Sequence, residues 1–213
     1  GSGHGNGTKV PYGSFELLGH LRLQYEGDTT LVAEDYLRQL SLDDATALTT
    51  YTLGGVRFRR DYFVSFSDDV GIIRLSADKK GQVNVRISLD RPEKFTTSAV
   101  DNRLEMTGQL ENGTDGKGMC YRALVAVKTD KGNVTTEGNQ LVVSGADEAV
   151  LYFSAGTDYK NPQFEGEVQE KIEKAMARKY RDILKEHTLA YRKYFDRADI
   201  SLPLNPEREA LST

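Results

Sequence analysis

Residues 36–78 read YLRQLSLDDATALTTYTLGGVRFRRDYFVSFSDDVGIIRLSAD. Apolar and aromatic side chains recur at every second position of residues 56–66, which is typical of a half-buried β-strand. The Gly54-Gly55 pair before this run fits a tight hairpin turn with positive φ, so residues 49–53 are the predicted partner strand. A turn at residues 67–69 then leads into an almost wholly apolar strand, 70–75. The predicted buried face of the central strand is the set Val56, Phe58, Arg60, Tyr62, Val64 and Phe66. Arg60 is the charged member of this set, so we expect the buried face to end there at a wet, solvent-exposed edge.

Further short strands lie on both sides of this stretch. The clearest period-two run is the one that carries Val83, Val85, Ile87 and Leu89. Residues 121–128 are predicted to form a hairpin with 134–137 across a turn at 130–133. The remaining strands are predicted at 21–25, 36–42, 103–110, 141–143 and 149–155. About ten short strands with no helix between them indicate an antiparallel β-sandwich.

The period changes after residue 164. Apolar residues then recur at three- and four-residue spacing, which predicts an amphipathic helix with the stripe Val168, Ile172, Ala175, Met176, Tyr180 and Ile183. Residues 182–186 carry mixed charge, and a second short helix is predicted with the stripe Leu189, Tyr191, Tyr194 and Phe195. Two prolines keep the tail at 202–206 extended.

These patterns divide the chain into four parts. We expect a glycine-rich lead at 1–13, a β-sandwich at 14–164, a helical linker at 165–197 that packs on the sandwich, and an extended exit at 198–213 towards a further domain. At 213 residues the chain is long enough for one sizeable core. The fold class is therefore mostly β, an antiparallel sandwich followed by a C-terminal helical linker.

Composition and charge exclude several function classes. A net charge of −4 and a pI near 5.5 argue against a nucleic-acid-binding protein, which would show a basic face. The pairs Arg59-Arg60 and Lys79-Lys80 fit solvated strand ends better than a phosphate site. No apolar run approaches the length of a membrane span. The single cysteine, Cys120, excludes an internal disulfide, and its place in an alternating run indicates a buried small apolar residue rather than a catalytic thiol.

Four blocks occur in a characteristic order: FELLGHLRLQY (15–25), the quoted stretch, GADEAVLYFSAGTDY (145–159) and HTLAYRKYFDRADISL (187–202). Together they resemble the N-terminal domain of the α-L-fucosidase family of glycoside hydrolases (family 95). The resemblance implies a supersandwich-like β-domain and a periplasmic or extracellular location. It also implies a parent enzyme that removes terminal α-L-fucosyl, or in some members α-L-galactosyl, residues with inversion.

The resemblance places the catalytic groups of such an enzyme outside this chain. The family's general acid, and its base with helper amides, lie on an α/α barrel that follows the β-domain, so the expected partners are that barrel and, through it, glycans. The family's β-domain also begins with further strands and a glycine-rich opening motif, and we expect these either to be missing or to start before Gly1. A sandwich without them would keep an uncovered sheet edge that invites association. We expect no catalytic, cofactor-binding or metal-binding residue in this chain, and no cofactor.

The acidic pairs and the histidines are candidate site residues, and their positions favour structural roles. Glycoside hydrolysis needs two carboxylates facing one bond, but Asp43-Asp44 and Asp68-Asp69 occupy turns, where Asp bonds its own backbone. The histidines His4, His20 and His187 match no zinc spacing. His20 is predicted in a strand turn and His187 between the two helices, each in a hydrogen-bonding role.

A calcium site, N-glycosylation sites and a sugar-stacking surface are the other candidates. The loop 115–118 has too few oxygen side chains for a calcium cage. The acceptor pattern for N-glycosylation occurs at Asn6, Asn112 and Asn133, all in predicted loops. Tyr152 and Phe153 lie on opposite faces of one strand, so at least one is available to stack on a sugar. An independent carbohydrate-binding module is therefore the alternative function, and an assembly domain that uses an open strand edge is a third.

Overall fold

The computed structural model describes residues 17–27, 30–113 and 115–199. Twelve strands are followed by two helices in this part of the chain, so the expected mostly-β fold with a C-terminal helical linker is confirmed. The predicted lead at 1–13 and most of the predicted exit at 198–213 lie outside the described residues, as does His4. The strands are β1 (His20–Tyr25), β2 (Glu34–Ser41), β3 (Thr46–Leu53), β4 (Val56–Ser65), β5 (Val70–Ala77), β6 (Val83–Asp90), β7 (Thr96–Val100), β8 (Arg103–Gln109), β9 (Cys120–Asp130), β10 (Asn133–Glu137), β11 (Gln140–Ala146) and β12 (Glu148–Thr157).

The strands form two antiparallel sheets of unequal size. The larger sheet has eight strands in the order β2-β3-β4-β5-β12-β9-β8-β7, and the smaller has four in the order β1-β6-β11-β10. The hairpin between β3 and β4 is confirmed, with Gly54 and Gly55 at φ values of 57° and 72°. Since L-residues rarely adopt two successive positive φ angles, this turn depends on the glycine pair.

The predicted hairpin of 121–128 with 134–137 is wrong. β9 pairs with β12 and β8 in the larger sheet, whereas β10 pairs with β11 in the smaller sheet. Both edges of β9 are thus already occupied, and the chain passes from one sheet to the other at Lys131 and Gly132. A Cβ at Gly132 would lie 2.5 Å from the Ser144 carbonyl oxygen, so the crossing needs a glycine there. Asn133 consequently begins β10, not a loop.

Two hydrophobic cores cover opposite faces of the larger sheet. The inner core lies between the sheets and includes every second residue of β6. Buried and half-buried residues alternate along the whole length of this strand. The outer core lies between the larger sheet and the helices and includes Phe63, Val70, Ile72, Leu124, Val150 and Tyr152.

The predicted buried face of residues 56–66 is correct only at its start. Val56 is buried, but Val64 and Phe66 are 69% and 51% exposed, and the opposite parity, with Phe63 and Ser65, is buried instead. The smaller sheet does not reach this end of β4 on the inner face, while the helices cover the outer face. The strand therefore changes its buried side along its length.

The helices are α1 (Phe164–Met176) and α2 (Tyr180–Phe195). The predicted single helix from Val168 to Ile183 is wrong, because the helices separate at residues 177–179. His187 consequently lies within α2 and not between helices. Within the described residues, neither helix has the length and apolar character needed to cross a bilayer.

Candidate functional site

The outer face of the larger sheet is the surface on which the helices pack. α1 buries Phe164, Val168, Ile172 and Ala175 against β12, β9 and β5. Gly156 of β12 permits the close approach, since a Cβ there would lie 2.9 Å from Val168 Cγ2. This helix therefore packs closely on β12 at Gly156.

The turn between β2 and β3 holds α2 through its backbone. His187 Nε2 lies 2.9 Å from the Asp44 carbonyl oxygen, and its Nδ1 accepts the Phe66 backbone N–H at 3.2 Å. Arg192 donates to the Asp43 carbonyl oxygen and to Asp44 Oδ1, both at 3.1 Å. The pair Asp43-Asp44 therefore positions a helix, and His187 has the structural hydrogen bonds expected of it.

The turn between β4 and β5 holds the junction of the helices in the same way. Asp68 Oδ2 accepts the Ser65 hydroxyl at 2.6 Å, and Asp68 Oδ1 accepts Arg178 Nη1 at 3.1 Å. Lys171 of α1 lies 3.4 Å from Asp69 Oδ2. Both acidic pairs thus occupy turns, as predicted, and each has cationic partners on the helices, a role that the sequence did not indicate.

A third charged group lies between these turns and the sheet centre. Asp61 is 9% exposed and accepts Arg59 Nε at 3.0 Å and Arg74 Nη1 at 3.4 Å. Arg74 also donates to Glu148 at 2.8 Å. The Arg74 guanidinium carbon lies 5.2 Å from the ring centroid of Tyr180, and burial raises the pKa of that tyrosine to about 12. These residues are adjacent only after the strands pair, so sequence spacing could not identify the group.

A fourth cluster, the Arg60 cluster, lies at the inner side of the larger sheet where β1 passes over it. It contains Arg60, Tyr25, Tyr51 and Phe58. The Arg60 guanidinium carbon is 3.9 Å from the Tyr25 ring centroid and 4.8 Å from that of Tyr51, and Arg60 Nη2 donates to the Tyr51 hydroxyl at 2.6 Å. Tyr51 and Phe58 stack at 5.3 Å. Burial holds the pKa of Tyr25 well above its usual range. Arg60 therefore packs between aromatic rings and is not at the wet edge that was predicted.

The remaining candidate residues lie apart from these clusters. His20 begins β1 and is exposed. Cys120 is half-buried and not fully buried as predicted, and burial raises the pKa of its thiol. In the 112–118 loop, Asp115 accepts the Asn112 amide at 2.7 Å, and this hydrogen bond is the main cause of its lowered pKa. No group of three His, Cys, Asp or Glu side chains suited to a metal ion occurs among the described residues.

Of the aromatic pair proposed to stack on sugars, Tyr152 is covered and Phe153 is partly exposed. Tyr152 is 1% exposed and belongs to the outer core, while Phe153 is half-buried against the inner core. The expectation that one of them is available on the surface is wrong for Tyr152, because the helices cover the face that a lone sandwich would expose.

A family model described as glycosyl hydrolase family 65, N-terminal domain, matches residues 2–162. The chain is 26% identical to alpha-L-fucosidase 2 of Arabidopsis thaliana and 25% identical to probable alpha-fucosidase A of Aspergillus niger, over 90% of this chain in both cases. It covers 26% of the length of each relative.

A solved structure shows the same fold. It is a putative kojibiose phosphorylase from the human microbiome, which aligns over 82% of this chain and 27% of its own with a TM-score of 0.59. At 12% sequence identity this likeness concerns the fold alone. The matched model is described by family 65, whereas the sequence blocks resemble family 95; both are N-terminal domains of glycoside hydrolases.

Proposed function

Since this chain belongs to the family of glycosyl hydrolase family 65 N-terminal domains, we propose that it is the non-catalytic β-domain of an α-L-fucosidase-like enzyme. The full-length enzyme would hydrolyse terminal α-L-fucosyl or α-L-galactosyl residues in a periplasmic or extracellular location. Both curated relatives carry fucosidase names, which favours a fucosidase over a phosphorylase as the parent. The parts of the chain would be a sandwich at 14–164 and a helical linker at 165–197.

The observation that supports this proposal is that the acidic pairs bind cationic side chains of the helices. Glycoside hydrolysis needs two carboxyl groups on either side of one bond. Asp44 and Asp68 instead bind Arg192 and Arg178, so these carboxylates hold the helices on the sheet. Their chemistry is that of a scaffold, and the reacting groups would come from a following domain.

The helical pair would form the contact with that domain, an α/α barrel of the same polypeptide. α2 buries Ile183 and His187 on the sheet and leaves Leu189 56% exposed. The ring of Tyr194, which is 61% exposed, lies 5.4 Å from the ring of the half-exposed Phe66 in the β4–β5 turn. Exposed apolar side chains of this kind are typical of a surface that a further element covers. The sandwich would thus support the barrel through α2.

An activity assay tests the absence of a catalytic role. The purified chain is expected to give no turnover of 4-nitrophenyl α-L-fucoside. Turnover that a single substitution in this chain abolishes would overturn the proposal. Calorimetry with fucosylated oligosaccharides is expected to give no saturable heat, whereas saturable heat would support the carbohydrate-binding alternative.

A second experiment tests the supporting role. In the full-length enzyme, Leu189→Asp is expected to lower the melting temperature and the activity. The same substitution in the isolated chain should leave the free energy of unfolding nearly unchanged, since this side chain is 56% exposed there. Val100→Asp, at a 65% exposed position on β7, is the matched control. Equal effects of Val100→Asp and Leu189→Asp on the full-length enzyme would contradict a contact through α2.

A further inference from the structure

The Arg60 cluster encloses a small cavity between the sheets, independent of the helical surface. Its volume is about 40 Å³, and its lining includes Tyr25, Tyr51, Phe58, Arg60, Leu75 and Val83. Two polar atoms of this lining, Arg60 Nε and the Tyr25 hydroxyl, are buried and lack a hydrogen-bond partner in the part of the chain that the structure describes. A buried donor without an acceptor costs about 1–3 kcal/mol, so two at one cavity indicate that something else accepts from them.

The positive charge of Arg60 favours an acceptor that is an anion. The neighbouring arginines Arg59, Arg74 and Arg86 each have a carboxylate within 3.0 Å. Among the described residues, Arg60 has no such partner; its guanidinium contacts two tyrosine rings and donates to the Tyr51 hydroxyl. Glu26 also lines the cavity, but its carboxylate accepts Arg86 Nε at 2.9 Å. The positive charge of Arg60 is therefore offset by ring faces and one neutral hydroxyl, which supply less than a counter-ion does.

The size of the cavity limits the ligand to a small species. A cavity needs at least about 10–15 Å³ on the same scale to hold one water, and an apolar cavity of about 150 Å³ holds a benzene ring. A volume of about 40 Å³ therefore admits particles near the size of water and is too small for a sugar. We propose that the Arg60 cluster binds a small monovalent inorganic anion, with chloride as the representative ion, that accepts from Arg60 Nε–H and the Tyr25 hydroxyl. The anion neutralises the guanidinium and links β1 of the smaller sheet to β4 of the larger sheet.

Thermal unfolding in different salts tests this site. At constant ionic strength, replacing sodium gluconate by sodium chloride is expected to raise the melting temperature to a plateau about 2–4 °C higher, as for a ligand that binds only the folded state. Arg60→Met should abolish this rise. Arg22→Gln, which removes an exposed arginine paired with Asp90, is the control and should retain it. Equal melting temperatures in the two salts, or a chloride response that survives in Arg60→Met, would overturn the proposal.

Two further measurements test the anion site even if Arg60→Met does not fold. Tyr25→Phe removes only the hydroxyl and is expected to weaken the apparent chloride affinity roughly three- to tenfold. Crystals grown in bromide should give an anomalous scattering peak within the cavity. A cavity that holds only water, without an anomalous peak at high bromide concentration, would contradict an anion site.

Discussion

His187 illustrates how single residues join distant parts of this chain. Its ring accepts a backbone N–H of Phe66, 121 positions away, and contacts the carbonyl oxygen of Asp44, 143 positions away. The sequence indicated a hydrogen-bonding histidine because no metal spacing surrounds it. It could not indicate the partners, since both are backbone groups of turns that become neighbours only when α2 packs on the sheet.

Replacing His187 by Phe should therefore destabilise the fold without removing its packing. The ring keeps its apolar contact with Phe63, but the Phe66 N–H and the Asp44 carbonyl lose their partner, which costs about 1–3 kcal/mol each when buried. Urea unfolding followed by circular dichroism measures the loss. The control is His20→Phe at the exposed start of β1, where no comparable change is expected. Equal stabilities of the two variants would show that the histidine bonds contribute nothing.

Tyr180 is expected to make stability depend on alkaline pH. Its folded pKa is about 12, raised by burial above the ordinary value of 10, so the folded state disfavours the phenolate. The contribution is fully present below pH 10 and is lost as pH rises through 12, because the unfolded chain releases this proton first. The free energy of unfolding should fall more steeply between pH 10 and 12 for the native chain than for Tyr180→Phe. Parallel curves would contradict a buried, neutral phenol.

At the scale of elements, the helices show where sequence patterns stop being sufficient. The apolar stripe runs without interruption from Val168 through Ile172 to Ile183, and no glycine or proline lies within residues 177–179, where the helices separate. Lys179 adopts extended backbone angles instead, with ψ near 138°. Because the helices separate here, α1 packs on β12 and β9 while α2 contacts β4. The positions of the strands determine this arrangement, and the local sequence does not indicate it.

The stripe itself is expected to hold α1 on the sheet. Ile172 is fully buried in the outer core, so Ile172→Asp places a charge among apolar side chains without a partner and should cost several kcal/mol. Ile172→Ala is the milder variant, with an expected loss of about 2–5 kcal/mol. The control is Lys174→Gln on the exposed face of α1, which removes only a surface ion pair with Glu170, worth at most about 1 kcal/mol. Unchanged melting of both Ile172 variants would mean that α1 does not pack on the sandwich.

At the scale of the whole molecule, the fold class was predictable and the pairing of distant strands was not. Alternation at Val83–Leu89 and the glycine pair at residues 54–55 are local signals, and both agree with the structure. The crossing between sheets at Lys131 depends on which strands already flank β9, which is a property of the complete sheet. The Arg60 cluster has the same origin, since Tyr25 reaches Arg60 only because β1 lies on the other sheet.

The unequal sheets also leave one part of the inner face uncovered. Leu40 and Val64, 67% and 69% exposed, line a shallow hollow of about 390 Å³ together with Phe153. Exposed apolar surface of this kind binds hydrophobic dyes and promotes association. Leu40→Lys with Val64→Lys should lower the fluorescence of added anilinonaphthalene sulfonate and change the free energy of unfolding by at most about 0.5 kcal/mol per site. The control is Val100→Lys, equally exposed on β7 but outside the hollow. If dye fluorescence falls by the same amount in the control, the uncovered half of the larger sheet is not the surface that the dye detects.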